Sequence, residues 1–150
     1  NRLYVGDPSS AAVQAYANAS TLGVNNPPPD ATIENSTQEF VDLRSLTMNV
    51  PNNFLYVAER FYPSIEIFES ASTLEGAVPT NRSLEGDATG LTLDMGQILF
   101  EDNVLYVQQS RTQIGIWNSA NTVDGDTAPN RTLTVNPATL IVGIMVDLAH

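Results

Sequence analysis

Residues that could perform acid–base or nucleophilic chemistry are scarce in this sequence. The single histidine is the last residue, His150, and lysine and cysteine are absent. Nucleophilic catalysis needs a base beside the nucleophile, and Schiff-base chemistry needs a lysine. Glycine-rich phosphate-binding patterns are also missing. We therefore predict no catalytic residue, interpret His150 as a loop residue, and favour a non-catalytic role over an enzyme.

Three aromatic residues, Tyr16, Phe68 and Trp117, are the candidates for contact with a ligand. Each ends a stretch in which apolar and polar residues alternate, and each is followed by similar turn residues. Aromatic rings stack on the apolar faces of sugars, so carbohydrate binding is one prediction. Aromatic side chains at such strand ends more commonly pack between neighbouring structural units, and packing is the favoured interpretation.

Four Asn-x-Ser/Thr sequences could carry N-linked glycans if the protein passes through a secretory pathway. Two or three would arise by chance in a sequence so rich in Asn, Ser and Thr, so they are candidates only. They begin at Asn18, Asn35, Asn81 and Asn130.

Composition narrows the classes of partner. The net charge is −11, and all six cations are arginines. This balance argues against nucleic acid and against anionic membranes, because both need clustered cations. No apolar stretch is long enough to insert through a bilayer. An acidic chain without lysine or cysteine favours a secreted or cell-surface location. The sequence starts at Asn1 rather than Met, so we expect an N-terminal segment to have been removed or to lie outside it.

Three segments of the sequence repeat one pattern. Each begins with Asn-x-Leu-Tyr-Val, and the tyrosines Tyr4, Tyr56 and Tyr106 lie 52 (56 − 4) and 50 (106 − 56) residues apart. Each continues through an alternating strand to the aromatic position, a turn of small polar residues, a glycine, a proline and a short β-prone pair. The turns are 18–21, 70–73 and 119–122, and the pairs are 32–33, 83–84 and 132–133.

This period predicts an all-β fold of β-propeller blades, about three four-stranded antiparallel blades in one module. The repeats span approximately 1–52, 53–102 and 103–150. An ordinary β-sandwich is the alternative, but coincidence does not easily reproduce so many features in the same order three times.

The two ends of the sequence match an internal junction. Residues 143–150, read on into residues 1–5, align without a gap to the stretch that ends in Val57, which places Asp147 on Asn49 and Leu99 at the third copy. We therefore expect the last strand and the first strand to complete one blade across a junction between chains or repeats. Three blades are too few to close a ring. A homodimer closing a six-bladed ring, a head-to-tail polymer and a piece of a longer repeat protein remain open.

The repeats resemble those of NHL-like and lactonase-like six-bladed β-propellers. The resemblance is carried by residues 53–57, 65–68, 71–76 and 79–84, and by the Gly-Ile-x-Val-Asp pattern of residues 143–147. It implies the fold, whereas such propellers include binding scaffolds, hydrolases and lyases. Lactonase-like members hold a divalent cation over the central channel, and Asp147 and Asn49 offer the oxygen ligands that calcium prefers. Because Leu99 cannot be a third ligand, these two residues are weak candidates for a metal site.

We therefore predict an extracellular, non-catalytic propeller that acts as a scaffold, binding or filament-forming module and assembles with itself by head-to-tail strand sharing. A metal-dependent lactonase-like hydrolase or lyase is the alternative, and a lectin-like carbohydrate-binding propeller is the second.

Overall fold

The computed structural model describes residues 1–23, 27–136 and 140–147. Within these ranges the only helices are four single 3-10 turns, at Ala19–Thr21, Ala71–Thr73, Asp87–Thr89 and Ala120–Thr122. The remaining regular structure there is strand. The strands are β1 (Arg2–Asp7), β2 (Ala12–Ala17), β3 (Ala31–Asn35), β4 (Leu43–Asn49), β5 (Phe54–Glu59), β6 (Ser64–Phe68), β7 (Gly76–Val78), β8 (Arg82–Glu85), β9 (Ile98–Glu101), β10 (Val104–Gln108), β11 (Gln113–Asn118) and β12 (Arg131–Thr134).

The strands form three four-stranded sheets. The first sheet has the order β1-β2-β3-β7, the second β4-β5-β6-β8 and the third β9-β10-β11-β12. All neighbouring strands are antiparallel except β3 and β7. The predicted all-β fold with three four-stranded sheets is confirmed.

The strand register reproduces the repeat of the sequence. Leu3, Leu55 and Leu105 lie opposite the aromatic residues Tyr16, Phe68 and Trp117. One strand further out, three apolar pairs are equivalent in the same way. These pairs are Val13 with Ile33, Ile65 with Leu84, and Ile114 with Leu133. Equivalent positions in the three repeats therefore occupy equivalent places in the three sheets.

The turn after each aromatic residue also has one structure. The first turn residue is left-handed in every copy, with φ of 53° at Asn18 and 57° at both Ser70 and Ser119. The threonine three residues later donates its hydroxyl to that residue's carbonyl, over 3.0, 2.9 and 3.1 Å respectively. Short polar side chains tolerate this backbone conformation and satisfy the turn locally, which explains why the sequence repeats them.

Apolar side chains from facing sheets form two core clusters. The cluster between the first and second sheets includes Val13, Ile33, Leu55, Val57 and Phe68. The cluster between the second and third sheets is built from equivalent residues one repeat later. Its members include Ile65, Leu84, Leu105, Val107 and Trp117. Each sheet therefore packs on the next through one recurring set of positions.

The first sheet lacks an inner strand at one edge and has β7 of the second repeat as an additional strand at the other. Its strand β1 is equivalent to β5 and β10, which pair with the inner strands β4 and β9, but β1 has no such neighbour in the sheet. At the other edge, β7 leaves the second repeat to pair with β3, placing Gly76 opposite Ile33. Gly125 makes the same kind of parallel bridge to Leu84 in the second sheet. The outer edge of one sheet is thus covered by the glycine turn of the next repeat.

Candidate functional site

Two end faces pack on no further sheet of the described residues. The leading face is the surface of the first sheet formed by Leu3, Val5, Tyr16 and Leu22. The trailing face is the surface of the third sheet formed by Tyr106, Ile114, Ile116 and Leu133. Both faces consist of the positions that elsewhere join one sheet to the next.

The leading face exposes side chains whose equivalents are core residues. Leu3 is 44% exposed and Val5 39%, whereas their equivalents in β5, Leu55 and Val57, are both 0% exposed. Leu22 directly follows the first turn and is 38% exposed, while its counterpart Val123 is buried. The difference arises because no sheet precedes the first one within the described residues.

The trailing face has the complementary set. Leu133 is 52% exposed, whereas Ile33 and Leu84 at the same position of the other sheets are completely buried. Arg131 is exposed as well, while its equivalent Arg82 donates from Nη1 to the carbonyl of Val123 in the next repeat, over 2.9 Å. The trailing face thus carries both the apolar and the polar groups that bind a following sheet elsewhere in the molecule.

Residues 143–150 were expected to provide a terminal strand. Residues 148–150 lie outside the described ranges, and residues 143–147, which we call the tail, form no strand in the structure. A strand requires a backbone partner, and this segment is paired with neither β1 nor β12. It lies instead beside the third sheet, where 143–146 border a cleft with Tyr106, Ile114 and Leu133. Val142 is 97% and Met145 90% exposed.

The position of this tail repeats the relation between the inner strands β4 and β9. The backbone N–H of Ile98 in β9 donates to the side-chain oxygen of Ser45 in β4, over 3.1 Å. The backbone N–H of Ile144 donates to the side-chain oxygen of Gln97, over 2.7 Å. Counting along the repeat, Gln97 is equivalent to Ser45 and Ile144 to Ile98. The tail therefore lies where the inner strand of a fourth sheet would begin.

Aromatic contacts support the same equivalence. The rings of Tyr56 and Phe100 are stacked with centroids 5.5 Å apart across the second and third sheets. Tyr106 and Val146 are their counterparts one sheet later, and both line the cleft under the tail. The tail is thus placed like an inner strand but pairs with no second strand among the described residues.

The sequence alignment at Leu99 was wrong. Strand β9 pairs with β10 so that Glu101 lies opposite Val104, as Asn49 lies opposite Phe54 in the second sheet. The turn between the two strands is four residues long in the second sheet and two in the third, so a gap-free alignment shifts the position by two. The equivalent of Asn49 in the third sheet is therefore Glu101, whose carboxylate oxygens could serve as metal ligands.

The candidate metal ligand Asn49 has hydrogen-bonding partners within the protein. It is 2% exposed, its Nδ2 donates to Oδ1 of Asn121, and its Oδ1 accepts from the N–H of Asn52 at 3.3 Å. Asn49 and Glu101 border one cleft of about 610 Å³ between the second and third sheets. The other candidate, Asp147, lies in the tail and is not in that cleft. Among the described residues, no group of three or more His, Cys, Asp or Glu side chains is arranged to hold a metal ion.

The aromatic candidates have different environments. Phe68 and Trp117 are 0% and 1% exposed inside the two clusters, and the indole N–H of Trp117 donates to the carbonyl of Thr127 over 2.9 Å. Tyr16 is half-buried on the leading face, where its hydroxyl donates to Gln14 over 2.6 Å. This placement favours the packing interpretation, and carbohydrate binding stays a prediction.

The candidate glycosylation sites fall into two groups. Asn35 is 6% exposed and its Oδ1 accepts from the N–H of Thr37 at 2.9 Å, so burial disfavours a glycan there. The other three are exposed. Asn81 and Asn130 accept the N–H of Glu69 and Asn118 at 2.8 and 2.7 Å. Asp30 does the same in the first repeat, so a structural role is enough to explain these side chains.

Burial raises the pKa of Tyr56 above its ordinary value of 10. Its hydroxyl donates to the carbonyl of Ala120 over 3.1 Å and so links the second sheet to the turn of the third repeat. Desolvation of the phenolate is the main cause of the shift. The group acts as a neutral donor in the interface between two sheets.

The remaining sequence candidates add no site. His150 lies outside the described residues. In the described ranges, no helix is long and apolar enough to cross a bilayer. The sequence did not indicate the roles of Gln97, Arg131 and Leu22, which emerge only when equivalent positions of the three sheets are compared.

A scan against protein-family models and a search of curated proteins found no match to this chain.

Proposed function

We propose that this chain is a non-catalytic β-propeller module, serving as an extracellular scaffold, that assembles head to tail with copies of itself. The trailing face of one copy packs on the leading face of the next, and the tail 144–147 of the first pairs with β1 of the second. The observation that carries the proposal is the exposure of Leu133 and Leu3 at positions that are fully buried wherever another sheet follows or precedes.

Two physical arguments support self-association over an unrelated partner. The end faces carry the same residue positions that already bind each other twice within the chain, so their shapes and polarity are complementary. The free edge of β1 and the tail beside the third sheet are the two halves of a junction that the chain forms internally between β4 and β5. Exposed edges and apolar faces of this kind are normally covered in native proteins.

The number of sheets favours a ring of two copies. Closed propellers have about four to eight blades, and two copies with three sheets each provide six. The contact is heterologous, so the same interface would give a filament if the rotation did not close. The extracellular location is a prediction from the acidic, lysine-free composition.

Sedimentation equilibrium over a wide dilution series tests the assembly. We expect a species of 32.4 kDa (2 × 16.2 kDa) that dissociates on dilution, and negative-stain images that show rings. A folded species of 16.2 kDa at every concentration would refute the proposal. Fibres in place of rings would retain strand sharing and exclude closure.

One observation favours the metal-dependent alternative, which we propose second. The equivalent of Asn49 is Glu101 rather than Leu99, so oxygen donors end both inner strands and, at Asp147, the tail. In a closed assembly these three positions would recur around the axis. Calorimetric titration with calcium should then show binding that Glu101→Gln weakens. No binding heat, together with a melting temperature unchanged by chelator, would exclude this function.

A further inference from the structure

We infer that the cleft between the first and second sheets receives the side chain of Asp147 from a second copy, where it pairs with Arg2. The inference rests on the proposed head-to-tail assembly and adds the register and the recognition chemistry of the junction. It concerns an open cleft of about 540 Å³.

The cleft has one complete wall and one incomplete wall. On the side of the second sheet it is bordered by Met48, Val50, Asn53 and Ser72. The first sheet contributes the beginning of its chain. The residues on that side are Asn1, Arg2, Tyr4, Ala17 and Asn18.

The corresponding cleft one sheet later shows what is missing. There the wall on the side of the preceding sheet is the end of an inner strand and its turn, residues 48–52. Asn49 of that wall donates to Asn121 across the cleft. Asn121 is the third residue of its turn, and Ser72 has the same place in the preceding turn. At this place the first cleft has the hydroxyl of Ser72, which accepts from Nδ2 of Asn53 over 2.8 Å and can itself donate to a carboxylate, but the cleft lacks the inner strand.

The tail has the residues to replace this strand in a defined register. In the second sheet Leu46 lies opposite Val57, and Asn49 lies opposite Phe54. Applying the same count to the tail and β1 places Ile144 opposite Val5 and Asp147 opposite Arg2. The observed hydrogen bond from Ile144 to Gln97 fixes the same numbering on the side of the third sheet.

A charge pair at this position distinguishes the junction between copies from the junctions inside the chain. The internal counterparts are Asn49 opposite Phe54 and Glu101 opposite Val104, neither of which is an ion pair. Opposite charges directly across an antiparallel pair attract, whereas like charges repel. A slip of one residue would move the carboxylate away from Arg2 and turn the apolar residues of the tail to the wrong side. The pair therefore selects the register, while the apolar faces provide most of the contact area.

Charge reversal tests the inference. Sedimentation equilibrium at low ionic strength compares the wild type with Arg2→Glu, Asp147→Arg, the double variant and an equimolar mixture of the two single variants. We expect each single variant to associate about three- to tenfold more weakly. The double variant should recover, because the two exchanged charges again attract each other across the junction. The mixture should recover too, since the unchanged Asp147 of one variant meets the unchanged Arg2 of the other.

Net charge is controlled within the same set. The wild type carries −11, so Arg2→Glu carries −13 (−11 − 2) and Asp147→Arg carries −9 (−11 + 2). Overall repulsion alone would make Asp147→Arg associate more tightly, the opposite of our expectation. Arg60→Glu also carries −13, follows the far end of β5, and breaks a partly buried ion pair with Asp42 rather than a contact at the junction. It should associate like the wild type.

The outcomes separate this inference from the proposed function. Weakening by both single variants with recovery in the double variant and the mixture would support it. If the wild type associates and every charge variant associates equally well, the proposed register is wrong, although the assembly itself remains supported. A wild type that stays monomeric throughout would overturn both, and would point to neighbouring repeats of a longer chain as the occupant of the cleft.

Discussion

The pair of equivalent residues Leu84 and Leu133 allows the assembly proposal to be tested against an internal control. Both lie opposite an isoleucine at the same place of their sheets. Leu84 is fully buried, whereas Leu133 is 52% exposed. Truncation of each to alanine therefore removes the same atoms, but from a surface that is covered within the chain in one case and only by a second copy in the other.

The two substitutions should mainly affect different free energies, that of unfolding for Leu84→Ala and that of association for Leu133→Ala. Leu84→Ala should lower the free energy of unfolding of the isolated chain by about 2–5 kcal/mol, because it leaves a cavity in the cluster around Trp117. For a chain of 150 residues this corresponds to a melting temperature roughly 4–20 °C lower. Leu133→Ala should cost the isolated chain only about 1 kcal/mol, because about half of the side chain is buried there.

The other half of the Leu133 side chain should contribute to association. Complete burial of a leucine contributes about 1.5–3 kcal/mol, so its exposed half contributes about 0.8–1.5 kcal/mol. A closed ring of two copies contains two such contacts, so the dissociation constant of the dimer should rise about 15- to 160-fold in Leu133→Ala. Calorimetry at high dilution would measure the first effect, and sedimentation equilibrium the second.

Two results would contradict this reasoning. If Leu133→Ala destabilised the dilute chain as much as Leu84→Ala, the trailing face would already be covered within one copy. If it left association unchanged, the trailing face would not be part of the interface. Leu84→Ala should affect association only through loss of folded protein, which circular dichroism at the same concentrations would detect.

Two further predictions concern the stability of the fold. Gly86→Ala should destabilise the protein more than Gly125→Ala in thermal unfolding, because at φ of 111° the new Cβ would lie 2.5 Å from the side chain of Asp126, whereas at Gly125 it meets no atom within 4 Å. Equal losses in the two variants would contradict the steric argument. Tyr56→Phe should cost about 1 kcal/mol at neutral pH, because the hydrogen bond to Ala120 is lost. The raised pKa of Tyr56 means that its contribution is complete below pH of about 10 and is lost as the pH rises from there through the pKa of the folded state. The stability difference between wild type and Tyr56→Phe should therefore narrow in alkaline urea titrations, and a constant difference up to the pH of unfolding would contradict the assignment.

Much of the fold could be predicted from the sequence because the relevant signals are local. Alternation of apolar residues identified the strands, and small polar residues, Gly and Pro identified the turns. The three left-handed turn residues Asn18, Ser70 and Ser119 show that the repeated turn has one local cause. The aromatic position lies opposite the leucine of the Leu-Tyr-Val motif in all three sheets, a pairing that the pattern had not predicted.

The candidate site could be predicted only in outline. The match between the tail and the stretch before Val57 indicated that the ends belong together, but it misplaced Glu101, since pattern matching without gaps cannot sense a turn shortened by two residues. The crossing of β7 to the first sheet also lacked a sequence signal. That pairing joins segments more than forty residues apart and depends on how one sheet packs on another.

The amino-acid sequence by itself therefore determined the repeating unit: most of its strands, where its turns lie, and which side of each strand is apolar. The tertiary structure alone decided which copies of that unit are covered. Equivalent positions of the repeat bury Leu84 and expose Leu133. Burial depends on whether another sheet lies within contact distance, and the local sequence does not carry that information.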